Sequence, residues 1–176
     1  CMTQSPIWTE QAQALLQLQT NTAHKVETGF HLNFTHPFEA KNIIHFSLSE
    51  LMLKAWSRRL NREDIKQSIE QQWNLFVDAI GTPPDFIDGH QHIHQFPVIR
   101  EILFDVLHEK NFTGWIRNLN HTISAIKYKF KNKSLELLGA KTTFKLAQKY
   151  HISSNAYFAG IYDFKHDNYA ELNHQW

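Results

Sequence analysis

Residues 84–97 read PDFIDGHQHIHQFP, a short apolar run followed by three alternating histidines. Pro83 and Pro84 favour an extended entry, because a proline keeps the residue before it out of the helical region. Residues 86–88 then predict a short strand. Pro97 predicts the start of a helix, since its missing N–H costs nothing in the first helical turn. The stretch is therefore predicted to form a strand, a histidine-bearing turn and a helix.

Three other segments are predicted to be strands. In residues 26–35 the apolar Phe30, Leu32 and Phe34 alternate with polar residues, which is the period of two of a strand. His31 is therefore expected on the face opposite the phenylalanines. The remaining strands are predicted in residues 112–117 and 156–162.

Apolar residues at helical spacing mark the segments between these strands. One predicted helix lies between Asn61 and Gly81. Asn61 is expected to be its N-cap, and Gly81 is expected to end it. Trp56 and Trp73 fall on apolar stripes and are expected in the core. The other predicted helices are residues 9–21 with Thr9 as the N-cap, residues 47–60, the helix from Pro97, and residues 135–150 with a break at Gly139.

The composition indicates one α/β domain that covers residues 1–176. The chain has 176 residues, of which 42% are hydrophobic, and this is enough for one core. Alternating strands and helices favour a parallel sheet or barrel, in which ligands bind at the carboxyl ends of the strands. No apolar run approaches the roughly 20 residues of a membrane span. The single cysteine, Cys1, excludes an internal disulfide, so we expect a cytoplasmic protein with no membrane partner.

The charged residues point to no particular partner. Lys and Arg number 18 against 17 Asp and Glu, and neither sign forms a long run. One alternating group of lysines resembles a nucleic-acid-binding stripe, but it is interpreted as a solvated loop or edge. No nucleic acid is therefore expected, and a homodimer is left open. The group consists of Lys127, Lys129, Lys131 and Lys133.

The histidine turn and the aspartate before it form a dense set of metal-ligating side chains. Neutral imidazole suits Zn and other transition metals, and Asp88 offers a hard oxygen donor or a partner that fixes a histidine tautomer. A single histidine on a strand is more often structural. We favour His90 as a ligand, and leave His92 and His94 balanced between a ligand role and a structural one.

Two segments resemble those of the YdjC-like carbohydrate deacetylases, the family of the chitooligosaccharide deacetylases. Residues 27–35, ETGFHLNFT, are similar to the family's Gly-x-His-Leu-x-Leu-Thr segment, and residues 84–97 are similar to its second segment. The two occur in the family's order. The similarity extends to residues 115–117 and 160–164.

This resemblance implies a distorted (β/α) barrel of the glycoside hydrolase and deacetylase type, incomplete in this chain. It implies that His31 and His90 bind a divalent ion, Mg or Zn, and that water attacks the N-acetyl group of an amino-sugar oligosaccharide. Five further residues are expected to support these ligands or to contact the substrate. They are Asp88, His92, His94, Trp115 and Arg117.

The chain departs from the family pattern at two places. The family has an Asn-Ala-Asp-Asp-Phe-Gly type segment at its N-terminus, which supplies a metal ligand and the base, and a late His-Pro pair linked to proton donation. Neither segment has a counterpart here, and the chain begins with Cys1 rather than Met. We therefore expect a fragment that is catalytically incomplete, with its base unassigned.

Two other functions stay open at this point. His-x-His turns also occur in amidohydrolase-like metal hydrolases, although there they normally follow the first strand, whereas here an earlier strand precedes the turn. A non-catalytic barrel that binds sugar or metal would keep the histidines and lack the carboxylates. The upstream coding sequence would separate this module from the enzyme.

Overall fold

The computed structural model describes residues 1–23, 26–38, 43–121 and 136–159. Its strands form one parallel sheet in the order β1-β2-β3-β4, so each strand pairs with the next one in the sequence. The predicted α/β class with a parallel sheet is confirmed. The strands are β1 (Gly29–Leu32), β2 (Phe86–Gly89), β3 (Trp115–Ile116) and β4 (Ser153–Ser154).

Helices and tight turns connect these strands. Among the described residues, two helices lie between β1 and β2, and each later connection contains an α-helix that follows a short turn of 3₁₀ or π type. The helices are α1 (Trp8–Asn21), α2 (Leu48–Trp56), α3 (Arg62–Ile80), α4 (Ile99–Glu109) and α5 (Lys141–Lys149), and the turns are a 3₁₀ turn (His90–Gln95) and a π turn (Glu136–Ala140).

Helix α3 follows its sequence signals at both ends. The Asn61 side chain accepts hydrogen bonds from the backbone N–H groups of Glu63 and Asp64, which satisfies donors that a helix start leaves unpaired. Gly81 closes the helix with a φ of 85°, a left-handed conformation that costs glycine little. The buried side of α3 places Trp73 edge-on against Phe30 of β1, with ring centroids 6.4 Å apart.

The two faces of the sheet have different roles. Phe30, Leu32, Ile87 and Ile116 have no exposed surface and pack in the core with the buried sides of the helices. His31 points to the other face, where it is half-buried, so its predicted orientation is confirmed. This second face carries the polar residues of the candidate site.

Several predicted boundaries were wrong. Helix α1 begins at Trp8 rather than after Thr9, and its N-cap position, Ile7, makes no side-chain cap. The start is fixed by a tertiary contact instead, because the Trp8 indole N–H donates to the carbonyl oxygen of Leu75 at 2.9 Å. Helix α4 begins at Ile99 rather than at Pro97, because Val98 has a φ of 70° and interrupts the helical path.

The remaining differences concern one tryptophan and one strand. Trp56 is 44% exposed, although its ring meets the buried Phe96 ring at an angle of 66° with centroids 5.0 Å apart, so its predicted burial was wrong. The last strand is Ser153–Ser154, ahead of the predicted residues 156–162, of which 160–162 lie outside the described part. The predicted break at Gly139 is confirmed by its φ of 110°.

Some expectations fall on parts of the chain that the structure does not describe. These are the lysine group at 127–133 and the family-like residues 160–164. Among the described residues, no helix combines the length and hydrophobicity that crossing a membrane needs.

Candidate active site

The register of β1 and β2 brings His31 and Asp88 together. The two residues are paired across the parallel strands, so their side chains leave the same face of the sheet. His31 Nδ1 donates a hydrogen bond to Asp88 Oδ1. A carboxylate cannot donate when ionised, so the proton lies on Nδ1 and Nε2 is left unprotonated.

Arg117 holds the other oxygen of Asp88. It follows β3 directly, and its Nη1 lies 3.0 Å from Asp88 Oδ2. Burial alone would raise the pKa of Asp88, but the hydrogen bond from His31 and the positive charge of Arg117 outweigh burial, so that pKa is lowered. Asp88 is therefore ionised at neutral pH, and both of its oxygens are occupied.

His90 begins the 3₁₀ turn at the carboxyl end of β2 and faces His31. The ring centroids of His31 and His90 are 5.7 Å apart, with an angle of 69° between the rings. Burial and the neighbouring His31 and His36 lower the pKa of His90. The His90 ring is thus neutral at neutral pH, which is the form that binds metal ions.

His36 is a third imidazole at this end of the sheet. Its ring centroid lies 6.0 Å from that of His90. Asn33 positions the loop, because its Oδ1 accepts hydrogen bonds from the backbone N–H groups of Thr35 and His36. His36 was not predicted as a site residue, because nothing in the sequence shows that its loop lies beside the histidine turn.

His94 is buried beneath the site rather than open to it. It has no exposed surface, and its Nε2 donates to the backbone oxygen of Arg117 at 2.9 Å. Burial lowers its pKa to about 4, so the ring is neutral. Gly89 leaves room for this ring, because a Cβ at that position would lie 2.9 Å from both the backbone N and the Nδ1 of His94.

His92 contacts Phe158 at the side of the site where Arg117 lies. Gln91 and His92 have φ values of 51° and 61°, so the turn between His90 and His94 runs through two consecutive left-handed residues. The His92 ring meets the edge of Phe158 with centroids 5.9 Å apart. The centre of the Phe158 ring also lies 5.9 Å from the guanidinium of Arg117, and the sequence had not marked this residue as part of the site.

Trp115 lies at the opposite end of the strands. Trp115 precedes Arg117 by two residues, but its ring stacks on Phe86, with centroids 4.8 Å apart, and its indole N–H donates to Glu27. It borders a cavity of about 430 Å³ between the loops that enter the strands. The structure therefore brings together His31, Asp88, His90, His92 and Arg117, and leaves Trp115 apart from them.

The side chains present fit part of a metal site. His31 has the carboxylate partner that metal-binding histidines usually have, and a second neutral imidazole lies beside it. Zn sites, however, normally use three or four protein ligands. Within the described ranges no group of three or more His, Cys, Asp or Glu side chains is arranged to hold an ion. His31 and His90 therefore offer two nitrogen ligands of a metal site.

Comparisons with known proteins point to one family. The family model described as YdjC-like protein matches residues 1–176. A chitooligosaccharide deacetylase of Yersinia enterocolitica is 33% identical over 95 residues, which cover 52% of this chain and 38% of that protein. A carbohydrate deacetylase of Xenopus laevis is 38% identical over 50 residues, covering 28% of this chain and 16% of that protein. The matched parts span less than half the length of these relatives.

One solved structure is also similar. The crystal structure of a candidate cellobiose-phosphate cleavage protein from Enterococcus faecalis aligns with a TM-score of 0.47 and 16% sequence identity, over 93% of this chain and 70% of that one.

Proposed function

Because the chain belongs to the YdjC-like family, we propose that it forms part of a hydrolase that removes N-acetyl groups from amino-sugar oligosaccharides with the help of a divalent metal ion. The observation that carries this proposal is the pairing of His31 and His90 at adjacent strand ends. The names of the curated relatives support the substrate class. They also favour a carbohydrate deacetylase over an amidohydrolase-like enzyme.

His31 and His90 would hold the ion, which we take to be Zn or Mg. When bound, such an ion would supply Lewis-acid polarisation of the amide carbonyl and acidification of water. Asp88 keeps the proton of His31 on Nδ1 and so leaves Nε2 free as the ligand atom. His90 contributes a neutral ring without needing to lose a proton, because burial lowers its pKa.

The acid and the base of the reaction are not assigned to Asp88 or His94. Both oxygens of Asp88 are engaged, by His31 and by Arg117. His94 is buried and donates to a backbone oxygen, so it cannot reach a substrate. His92 and Phe158 form the wall next to Arg117 and are the described groups placed to contact a sugar there.

The fold proposal goes beyond the sheet itself. Four parallel strands in sequential order, with helices packed on one face and polar side chains on the other, match one side of a (β/α) barrel. We propose that residues 1–176 form an incomplete barrel of this type. The position of the histidines at the carboxyl ends of β1 and β2 supports it, because barrel enzymes place their sites there.

The test combines metal binding with acetate release. We expect Zn or Mg to bind the purified protein, and His31→Ala and His90→Ala each to weaken that binding by at least about tenfold. His108→Ala, a change of an exposed histidine on α4, serves as the control. Acetate release from diacetylchitobiose by the full-length protein should depend on the same two histidines. Acetate release that persists in both variants would overturn the proposal.

A non-catalytic sugar-binding or metal-binding module is the second candidate. It is favoured by the full engagement of Asp88 and by the lack of a three-ligand group among the residues described. This module would bind Zn and chitooligosaccharide without releasing acetate from it. The same pair of measurements on the full-length protein therefore separates the two candidates.

A further inference from the structure

We propose that Arg117 is a positioning residue that acts through Asp88 to fix the tautomer and the orientation of His31. This inference rests on the proposed function, in which His31 Nε2 is a metal ligand. It concerns a chain of contacts across three neighbouring strands. The chain runs from His94 to Arg117, from Arg117 to Asp88 and from Asp88 to His31.

The backbone of Arg117 is held from two sides. Its N–H donates to the carbonyl oxygen of Ile87 at 2.8 Å, which continues the β2–β3 ladder by one step. Its own carbonyl oxygen accepts from His94 Nε2. These two bonds fix the backbone of Arg117 beside Asp88. The guanidinium can therefore reach the carboxylate without any movement of the backbone.

The Arg117 guanidinium is one of the two groups that bind the Asp88 carboxylate, and the other is His31. The Asp88 side chain is only 8% exposed, so water cannot readily replace a lost partner. Without Arg117, Oδ2 would be a buried charged oxygen with no donor, and such a group is costly. Rotation of the carboxylate toward solvent would relieve that cost, and the rotation would break the bond from His31.

The consequence reaches His31, because its ring has no other described hydrogen-bond partner. A histidine released from its carboxylate can carry its proton on either nitrogen. A ring with the proton on Nε2 cannot bind an ion through that atom. Arg117, which makes no described hydrogen bond to the ring, therefore controls how much of the protein has a ligand-competent His31.

The experiment uses Arg117→Gln, Arg117→Lys and the control Arg58→Gln in the full chain. Arg58 pairs with the Glu101 carboxylate at 3.1 and 3.2 Å on the outer surface, so the control also removes an arginine–carboxylate contact. Side-chain ¹⁵N NMR of the metal-free proteins reports the His31 tautomer. Calorimetric titration with Zn alone reports the affinity, and circular dichroism checks that each variant is folded.

We expect wild-type His31 to be protonated on Nδ1. Arg117→Gln should shift both His31 nitrogen signals toward a tautomer mixture and weaken Zn binding about tenfold. Arg117→Lys keeps the positive charge and should restore most of the Nδ1 tautomer and most of the Zn affinity. Arg58→Gln should change neither the His31 signals nor the Zn affinity. Unchanged His31 signals in Arg117→Gln, or an equal change in Arg58→Gln, would overturn the inference. If wild type binds no Zn, the proposed function fails, while the NMR result still decides the role of Arg117.

Discussion

His94 is enclosed between Gly89 and the backbone of Arg117, and its environment differs sharply from water. Burial lowers its pKa to about 4, whereas a histidine in an unfolded chain titrates near 6.5. Between these values the unfolded chain binds a proton that the folded chain does not. The free energy of unfolding therefore decreases as the pH falls from about 6.5 to about 4.

We predict that His94 lowers the free energy of unfolding by up to about 3 kcal/mol over that pH range. This figure is the difference between the two pKa values expressed as free energy. Urea unfolding of wild type and His94→Gln at pH 7 and pH 4.5 measures it. His90 and His92 also have lowered pKa values, but both proteins contain them. The wild type should lose more stability than the variant, and equal losses would show that His94 does not cause the effect.

Helix α3 and the end of β1 are joined by one buried glutamine. Gln72 Oε1 accepts from the Asn33 backbone N–H, and Gln72 Nε2 donates to the Asn33 carbonyl oxygen, each at 3.0 Å. Its side chain therefore replaces a backbone partner at the point where the strand has ended. The same Asn33 holds the turn that carries His36.

We predict that Gln72→Leu lowers the free energy of unfolding by about 2–4 kcal/mol, because it leaves two buried backbone groups unpaired. Gln71→Leu is the matched control, since Gln71 is the exposed neighbour on the same helix. Its effect should stay within about 0.5 kcal/mol. Urea denaturation measures both variants, and similar losses in the two would contradict the role given to Gln72.

Local signals explain which elements were predicted correctly. The caps of α3 and the alternation in β1 depend on nearby residues, so the sequence contains the information. The start of α1 depends on a contact between Trp8 and Leu75, which are far apart in the chain. Trp56 has the helical spacing of a core residue. In the short helix α2, however, only Leu51 and Ala55 are buried, and Trp56 lies at the partly exposed edge of the helix.

At the scale of the whole molecule, Phe76 connects three elements. From its place on α3 its ring stacks on Trp8 of α1, with centroids 5.8 Å apart, and meets Phe30 of β1 edge-on at 6.4 Å. No part of Phe76 is exposed. Phe76 therefore lies at the point where α1 and α3 pack together against the sheet.

We predict that Phe76→Ala costs about 3–5 kcal/mol of unfolding free energy, as expected for a large cavity in a packed core. Leu75→Ala, a change of a neighbouring side chain that is 38% exposed, should cost less than about 1 kcal/mol. Thermal or urea unfolding of the two variants provides the comparison. A loss in Phe76→Ala no larger than that in Leu75→Ala would show that the three elements do not depend on this ring.

The candidate site could be predicted only in part, because strand register is a property of the whole sheet. The sequence placed His31 and Asp88 near strand ends, but the residue that lies opposite each of them is set by how the connecting helices pack. Arg117 was singled out without a partner, and its contact with Asp88 follows from the β2–β3 register. Phe158 fell within a predicted strand, but nothing in the sequence placed it beside Arg117, so only the folded chain reveals it as a site residue.

The sequential strand order also bears on how the site is built during synthesis. Each described strand pairs with the strand that follows it, so the sheet can grow one unit at a time as the chain leaves the ribosome. His31 would be ordered first, Asp88 would reach it when β2 is added, and Arg117 would arrive with β3. On such a path a nascent chain paused before residue 115 would have the histidine pair with a half-partnered carboxylate, and it would capture a metal ion more weakly until the third strand had emerged.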